Sequence, residues 1–276
     1  MGIAAIFISG CGNGAANLSQ AYDVYETGKT VGISTTASED VSYFADNLCV
    51  SEDTEIGTDA TDSGVAEGAG VFNLATNTVT YAKNLYEKLY PASTTKILTA
   101  YIALKYCDLN EMVTVSENAA NQSADSSVCG VNAGDVISMR YLLYGLMLRS
   151  GNDAAIAIAE HISGDTDSFA ALMNQEAKAL GATNSNFVNP NGLPDENHYT
   201  TIYDMYLIFQ AALQNQTFVD IISTQSMDVT YYDRNGEAVS QNWSNTNQYL
   251  LGKQTAPDGI TVVGGKTGTT GDAGYC

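Results

Sequence analysis

The stretch Ser93-Thr94-Thr95-Lys96-Ile97-Leu98-Thr99-Ala100-Tyr101-Ile102-Ala103-Leu104 joins a hydroxyl and an amine to a long apolar run. The run contains no Gly or Pro and is apolar almost all round, which predicts a buried helix over residues 93–107. Pro91 marks the start of that helix. Ser93 then lies on the first turn, where free backbone N–H groups favour a developing negative charge.

Lys96 follows Ser93 by one helical turn and is expected on the same face of the helix. The ordinary pKa of a lysine is about 10.4, and burial lowers it because the charged form is poorly solvated. An uncharged Lys96 beside the Ser93 hydroxyl can therefore act as the base that activates this nucleophile. Taken alone, such a pair is more often a helix N-cap followed by a surface lysine, so the functional interpretation depends on the motifs that follow.

A second motif, Ser150-Gly151-Asn152, lies in a short predicted turn between two apolar helices, at residues 138–148 and 152–161. Side chains in such a turn can point into a cleft. The alternative interpretation is structural, with Gly151 ending one helix and the next residues capping the other. In isolation the structural interpretation is the better one.

A third motif, Lys266-Thr267-Gly268, ends a β-branched run that predicts a strand over residues 260–267. The neighbouring glycines leave room for another backbone to approach Lys266. An extended peptide could pair with this strand while the lysine binds its terminal carboxylate. The alternative is a glycine-rich hairpin with one exposed lysine.

In this order, the three motifs resemble the Ser-x-x-Lys, Ser-x-Asn and Lys-Thr-Gly signature of the penicillin-recognising serine acyl enzymes. Within that group the chain is most similar to the serine-type D-alanyl-D-alanine carboxypeptidases, low-molecular-mass penicillin-binding proteins that trim peptidoglycan. The similarity covers roughly residues 68–276. The stretches that carry it are 90–96, 148–155, 179–187, 189–194 and 265–268.

This resemblance implies a reaction and three catalytic residues. Ser93 would attack the peptide carbonyl of a D-Ala-D-Ala terminus and form an acyl-enzyme. Lys96 would take the hydroxyl proton, and Ser150 would relay a proton to the departing D-Ala amine. Water would then release the shortened stem peptide, and β-lactams would act as covalent inhibitors.

The resemblance also implies a set of substrate-binding residues: Asn152, Lys266, Thr267, Gly268 and Thr269. Asn152 would bind the stem-peptide backbone, while Lys266 and Thr267 would hold the terminal carboxylate. The backbone N–H groups of Ser93 and Thr269 would form the oxyanion hole, where each such donor is typically worth about 3–4 kcal/mol. No cofactor and no metal is implied.

The expected fold class is α+β, in the β-lactamase/transpeptidase-like form, with an antiparallel sheet packed by a helical lobe and a cleft at their junction. The pattern predicts a hairpin at 70–75 and 78–82. Helices are predicted over 138–215, with breaks at Gly151, Gly164 and 189–201, and strands at 227–232 and from 260. The resemblance implies further strands and a carboxy-terminal helix after Gly268. The catalytic domain, 68–276, is therefore expected to be incomplete.

Two other functions compete with the carboxypeptidase interpretation. A serine β-lactamase shares the fold and the acylation chemistry, but the middle motif reads Ser-Gly-Asn and not Ser-Asp-Asn. Between the second and third motifs there is also no Glu-x-x-x-Asn run, and the nearest acidic residues are Glu176, Asp195 and Glu196. The second alternative is a catalytically silent cell-wall-binding domain that keeps the scaffold. Such a domain would be favoured if Ser93, Lys96 or Lys266 were missing, and all three are present.

With only two histidines the chain offers little for a Ser-His-Asp triad, and the pair does not suggest a metal site. His161 lies in an alanine-rich helix, where a packed or partly exposed imidazole is expected. His198 lies in a polar loop, where contact with substrate is a minor possibility. The cysteines are scattered along the chain and do not suggest a ligand set.

Charge and the amino terminus suggest where the protein acts. The net charge of −20 over 276 residues argues against binding to nucleic acid or to anionic lipid. Residues 12–67 are rich in Asp, Glu, Ser and Thr and predict an acidic tether, with 43–50 as a segment that could dock on the domain.

Residues 1–11 end in Ile8-Ser9-Gly10-Cys11, which resembles a lipoprotein signal with Cys11 as the lipidated residue, although no Lys or Arg precedes the apolar run. An exported protein that is lipid-anchored at the cell membrane, or secreted, is the resulting expectation.

Overall fold

The computed structural model describes residues 47–59, 64 and 66–276, and these belong to one compact unit that begins at Asn47. The predicted lipoprotein signal with Cys11 lies outside the described residues, as do residues 12–46 of the predicted tether. None of the helices within the described ranges combines the length and the apolar content that a bilayer crossing requires.

The elements follow the order expected of an α+β protein. The strands are β1 (Ala69–Asn73), β2 (Thr78–Lys83), β3 (Met112–Thr114), β4 (Val136–Ser138), β5 (Ser226–Tyr232), β6 (Ala238–Ser244), β7 (Thr269–Thr270) and β8 (Gly274–Tyr275). The helices are α1 (Lys96–Tyr106), α2 (Glu117–Ala120), α3 (Met139–Leu148), α4 (Asn152–Ser163), α5 (Thr166–Ala179), α6 (Ile202–Leu213) and α7 (Gln216–Ser223), and a 3₁₀ turn (Ala92–Thr95) precedes α1. Strands at both ends with a helical block between them confirm the predicted class.

Helix α1 is the centre of the helical lobe. Leu98, Ile102 and Ala103 are fully buried, and the helix packs against α3, α4 and α6. A helix surrounded on several sides needs apolar residues almost all round, which explains the sequence pattern that predicted it. The 3₁₀ turn and α1 together cover nearly the range predicted for a single helix.

The main sheet has four antiparallel strands in the order β3-β4-β5-β6. Val229, Tyr231 and Trp243 are buried on its inner face, while their neighbours along β5 and β6 are more exposed. This alternation is what a sheet with one solvated face requires. The β1–β2 hairpin confirms the prediction at 70–82, whereas β3, β4 and β6 were not predicted.

The segment before β1 docks on the domain. The Cys49 N–H donates to Tyr206 Oη over 2.7 Å, and Tyr203 Oη donates to the Cys49 carbonyl over 3.0 Å. Ile56 pairs with Ala82 of β2 through two backbone hydrogen bonds. The described compact unit therefore includes residues 47–59, and Cys49 contacts Tyr203 and Tyr206 of the domain.

The predicted strand at residues 260–267 is wrong. This segment is irregular, and β pairing begins only at β7. Gly264 packs so closely on the end of α7 that a Cβ there would lie 2.4 Å from the Ile222 carbonyl oxygen. A β-branched sequence becomes a strand only when a neighbour supplies backbone hydrogen bonds, and within the described residues this segment pairs with no strand.

Candidate active site

The first two motifs meet at the amine of Lys96, whose side chain is completely buried at the start of α1. Its Nζ lies 3.0 Å from Ser93 Oγ and 2.8 Å from Asn152 Oδ1, and it donates to the Asn191 carbonyl oxygen over 2.5 Å. All three contacts are neutral oxygens. The structure thus places beside a serine hydroxyl an amine that pairs with no carboxylate of the described residues.

Burial lowers the pKa of Lys96 well below its ordinary value, and the positive charge of Lys266 lowers that pKa further. The carboxylate of Asp153 acts in the opposite direction but does not overcome burial. An amine that is uncharged at neutral pH has a free lone pair. Its two N–H bonds can go to Asn152 Oδ1 and the Asn191 carbonyl, which leaves the lone pair for the Ser93 hydroxyl proton, so the pair has the geometry of a general base and its nucleophile.

Asp153 anchors the turn that carries the second motif. Its buried carboxylate accepts four backbone N–H bonds at 2.8–3.2 Å, from Cys129, Gly130, Val131 and Ala154. These bonds tie the loop at 129–131 to the start of α4. The acidic residue nearest to the second motif therefore serves to hold the backbone, and it does not neutralise Lys96 directly.

Ser150 is buried in the turn between α3 and α4, and its backbone has the left-handed φ of +57°. Such a conformation costs a non-glycine residue about 1 kcal/mol or more and persists only where the surroundings impose it. Here the Gly151 N–H bonds the Gly145 carbonyl, and the Asn152 N–H bonds the Ser127 carbonyl. Within the described part of the chain the Ser150 hydroxyl makes no hydrogen bond, so it is available to a bound substrate.

The third motif lies against the turn that carries Ser93. Lys266 is half-buried, its Nζ donates to the Thr267 carbonyl over 2.5 Å, and burial lowers its pKa to about 7. The Thr267 hydroxyl lies 2.9 Å from that of Thr246. Gly268 approaches so closely that a Cβ there would be 3.1 Å from the Ser93 nitrogen. The three motifs therefore converge, although the predicted strand did not form.

Two backbone N–H groups at this junction, those of Ser93 and Thr269, have no partner among the described residues. Gly268 and Cys276 exchange two backbone hydrogen bonds of 2.9 Å. In an antiparallel ladder, hydrogen-bonded and non-hydrogen-bonded pairs alternate, so the next pair, Thr269 and Tyr275, is not hydrogen-bonded. The Thr269 N–H consequently points to the other edge of the strand. The Ser93 N–H forms no hydrogen bond with any other described residue. These are the two donors that the family resemblance assigns to the oxyanion hole, an assignment that stays a prediction.

Asn191 is a site residue that the sequence did not single out. Its backbone carbonyl binds Lys96, and it belongs to an Asn-Pro-Asn-Gly turn whose amide side chains bond their own backbone. Gly192 has a φ of +85°, and a Cβ there would lie 1.8 Å from the Ala92 carbonyl oxygen. The turn was noticed as a stretch that resembles the family. A backbone contact, however, leaves no signature in side-chain identity.

His198 is buried and supports the Ser93 turn without reaching Ser93. Its Nδ1 accepts the Val188 N–H over 3.1 Å, which leaves Nε2 as the protonated nitrogen that donates to Thr95 Oγ1 over 2.9 Å. Its ring also meets Phe187 edge-on at 5.6 Å. Burial lowers the pKa of His198 to about 4, against a weaker opposing effect of the Asp195 charge. His198 is therefore a neutral structural residue.

We expect His198 to make folding stability pH-dependent. Because its pKa is about 4 in the folded chain and about 6.5 when unfolded, the unfolded chain binds the proton first as pH falls. Stability is complete above about pH 6.5 and falls towards pH 4, by about 3 kcal/mol in total. Urea unfolding between pH 7 and 5 should show a steeper loss for the wild type than for His198→Gln. Equal slopes in the two proteins would contradict this role.

The acidic residues considered for a β-lactamase do not surround Ser93. Glu176 binds Lys105 Nζ and Tyr106 Oη, each over 2.6 Å, at the far end of α1. Asp195 accepts the Asn197 N–H over 2.8 Å within its own loop, and Glu196 is exposed. No described carboxylate hydrogen-bonds Ser93 or Lys96.

Comparison with known proteins agrees with this geometry. The D-alanyl-D-alanine carboxypeptidase family model matches residues 56–276. D-alanyl-D-alanine carboxypeptidase DacF of Bacillus subtilis is 35% identical over 218 residues, which is 76% of this chain and 52% of that protein. D-alanyl-D-alanine carboxypeptidase DacB2 of Mycobacterium tuberculosis is 38% identical over 185 residues, which is 66% of this chain and 59% of that protein.

Among solved structures, the Streptomyces K15 DD-transpeptidase superposes with a TM-score of 0.68 at 30% identity, covering 78% of this chain and 84% of that one. The chain spans little more than half the length of the two relatives named above. The family match covers most of the described residues and includes all three motifs. The chain belongs to the D-alanyl-D-alanine carboxypeptidase family.

Proposed function

We propose that this protein is a serine DD-carboxypeptidase that removes the terminal D-Ala from peptidoglycan stem peptides through an acyl-enzyme on Ser93. Family membership supports the reaction class. The observation that carries the proposal is the buried Lys96 amine, 3.0 Å from Ser93 Oγ, with a pKa well below its ordinary value. A structural lysine would be paired with a carboxylate or would reach solvent, and among the described residues this one does neither.

The acylation step uses the groups at the junction of the three motifs. Lys96 accepts the Ser93 proton as Oγ attacks the carbonyl carbon of the D-Ala-D-Ala peptide bond. The N–H groups of Ser93 and Thr269 bind the oxyanion of the tetrahedral intermediate. The C–N bond then breaks, and the leaving amine takes the proton from Lys96 through the Ser150 hydroxyl. This produces free D-Ala and an ester on Ser93.

Deacylation returns the enzyme to its starting state. Water attacks the ester carbonyl and gives a proton to Lys96, and the same N–H groups bind the second oxyanion. When the ester bond breaks, the proton returns to Ser93 Oγ and the shortened peptide leaves with a new carboxylate. The neutral Lys96 therefore serves as base and then as acid in both halves of the reaction.

The substrate carboxylate would bind Lys266 and Thr267. A half-buried lysine with a pKa of about 7 gains most from an anionic partner, because the carboxylate raises that pKa again and replaces the lost solvation. Gly268 leaves the approach to the Ser93 amide open, while Asn152 Oδ1, already bound to Lys96, leaves its amide nitrogen for the peptide backbone. β-Lactams, which carry a carboxylate beside a reactive amide, would acylate Ser93 in the same way.

The proposed place of action is outside the cytoplasm, where stem peptides occur and where members of this family act on the cell wall. The lipobox-like Ile8-Ser9-Gly10-Cys11 supports a lipid anchor on Cys11, and the acidic stretch after it supports a tether between the membrane and the domain. Secretion without the lipid is the alternative that the same sequence leaves open.

The test is to treat the protein with penicillin and locate the adduct by mass spectrometry, alongside an assay of D-Ala release from a stem peptide. We expect one adduct, on the peptide containing Ser93, and one D-Ala released per peptide. Rapid penicillin turnover without D-Ala release would instead identify a β-lactamase. Transfer of the peptide to an added amine would identify a transpeptidase.

Two further outcomes would overturn the proposal. A folded protein that forms no adduct would be a catalytically silent binding domain. An adduct that persists in the Ser93→Ala variant would assign the nucleophile to another residue. Ser223→Ala, which changes an exposed hydroxyl at the end of α7, is the matched control and should keep the adduct.

A further inference from the structure

Three side chains of metal-ligand type meet away from the active site. The Cys107 Sγ, a carboxylate oxygen of Glu111 and a ring nitrogen of His161 all lie within 4.8 Å of one another. Cys107 and Glu111 lie four residues apart in the loop between α1 and β3, whereas His161 lies in the last turn of α4. The sequence alone did not suggest this group because His161 is brought to the other two only by the packing of α1 beside α4.

The spacing of the donor atoms is close to that of a zinc site. His161 Nε2 lies 2.9 Å from Glu111 Oε2. Ligand bonds of about 2.0–2.3 Å in a tetrahedron place nitrogen and oxygen about 3.3 Å apart, and sulfur about 3.6 Å from either. His161 and Glu111 are partly exposed at the surface, with 29% and 42% of their side-chain area accessible. Small rotations of these side chains are therefore enough to accommodate the ion.

We propose that Cys107, Glu111 and His161 bind a zinc ion, with water in the fourth position. A set of one sulfur, one nitrogen and one oxygen donor suits Zn²⁺, whereas Mg²⁺ and Ca²⁺ prefer oxygen alone.

The loop that carries Glu111 is already held in place for binding. The Asp108 N–H donates to Glu111 Oε1 over 2.7 Å, which orients the carboxylate and leaves Oε2 towards His161. The Met139 N–H bonds the Glu111 carbonyl over 2.8 Å, and the Arg140 N–H bonds the Leu109 carbonyl over 2.9 Å. Such outer contacts fix the direction of a ligand before the metal arrives.

Binding requires the release of one proton. Burial, with a smaller effect of the Glu111 charge, raises the pKa of the Cys107 thiol to about 11, so the thiol is protonated in the metal-free protein. Hydrogen bonding to His161 lowers the pKa of Glu111, which keeps that carboxylate ionised. Zinc binds the thiolate, the displaced proton passes to solvent, and His161 coordinates as the neutral imidazole. Affinity should therefore rise with pH.

The position of the site indicates a structural role. Lys96 at the start of α1 is hydrogen-bonded to Asn152 at the start of α4, and the two helices run side by side to Cys107 and His161. The zinc ion would link the far ends of the same two helices, about 20 Å from Ser93 along the 3₁₀ turn and α1. It would hold together the pair of helices that carries the catalytic groups, without taking part in the reaction.

The test is to titrate the metal-free full-length protein with Zn²⁺ in competition with a chromophoric chelator, and with Co²⁺ to detect thiolate coordination by its charge-transfer absorption. We expect one zinc ion per chain and a rise in Tm on zinc addition. Cys107→Ser and His161→Gln should each weaken binding by about 100-fold or more and remove the cobalt–thiolate band. Cys276→Ser, which replaces an exposed thiol elsewhere, is the matched control and should bind as the wild type does.

Zinc affinity that is unchanged in both Cys107→Ser and His161→Gln would overturn the proposal, as would equal loss in Cys276→Ser. Thermal unfolding without metal shows whether each variant folds, and Glu111→Gln provides a third variant at the exposed edge of the site. Because the site is remote from Ser93, folded Cys107→Ser should still form the penicillin adduct. Failure of zinc binding with the adduct intact would therefore count against the metal site alone.

Discussion

Lys96→Arg is expected to slow the formation of the penicillin adduct by about 10³-fold, within the range of about 10²–10⁴ that a general base contributes. A guanidinium remains charged at any accessible pH and cannot accept the Ser93 proton. It would also bring a larger, permanently charged group into a fully buried position whose contacts are Ser93 Oγ, Asn152 Oδ1 and the Asn191 carbonyl. The measurement is the second-order rate constant for acylation by a labelled penicillin.

Two further variants separate loss of the base from loss of the fold. Lys105→Arg changes a lysine on the same helix that is partly exposed and bound to Glu176, and it should acylate at the wild-type rate. Lys96→Met removes the base without adding a charge. It leaves two buried acceptor oxygens unpaired, at a cost of about 1–3 kcal/mol each, but it should remain folded. Acylation by Lys96→Arg or Lys96→Met at a rate near that of the wild type would remove Lys96 from the mechanism.

The pH dependence of the same rate constant adds a second check on the wild type. Because burial holds the pKa of Lys96 well below its ordinary value, the fraction of uncharged amine, and with it the rate constant, should decline as pH falls through that lowered pKa. Lys266, with a pKa of about 7, loses its charge as pH rises, which should weaken binding of the free carboxylate and raise KM at alkaline pH. A rate limited by a lysine of ordinary pKa would instead keep increasing up to about pH 10.

The features that could be predicted from the sequence are those encoded by side-chain pattern. The apolar run after Lys96 predicted the buried helix α1, and Gly151 and Gly164 marked breaks between helices, since they are the N-cap and C-cap of α4. The one-turn separation of Ser93 and Lys96 predicted their contact, which the structure shows at 3.0 Å. Family resemblance supplied the convergence of three distant motifs, which no local pattern could have predicted.

The features that were missed depend on backbone partners or on tertiary packing. Residues 260–267 have the composition of a strand but lack a neighbour to pair with, while the three-residue strands β3 and β4 are too short to show an alternating pattern. The contact of Lys96 with the Asn191 carbonyl involves backbone alone. Cys107 and His161 belong to separate helical segments, and their proximity follows only from how those helices pack.

Gly192→Ala is the substitution outside the three motifs for which we expect the largest loss of both stability and activity. Gly192 has a φ of +85°, and an added Cβ would lie 1.8 Å from the Ala92 carbonyl oxygen and 2.4 Å from its carbon. Those are backbone atoms of the turn that carries Ser93, so no side-chain rotation relieves the overlap. The loop has to move by more than 1 Å, at an expected cost of about 3 kcal/mol or more.

Gly164→Ala is the matched control, because Gly164 has the same φ of +85° but an added Cβ would meet nothing within 4 Å. It isolates the conformational cost of a left-handed alanine, about 1–2 kcal/mol. The difference between the two variants in urea unfolding therefore measures the overlap itself.

Displacing Gly192 also carries the neighbouring Asn191 carbonyl away from Lys96 Nζ, now at 2.5 Å. The rate of adduct formation should consequently fall at least about 10-fold in Gly192→Ala, because a misplacement of about 1 Å among catalytic groups is costly. The rate should stay unchanged in Gly164→Ala. Equal stability and equal acylation in the two variants would show that the Asn-Pro-Asn-Gly turn does not hold the Lys96 amine in place.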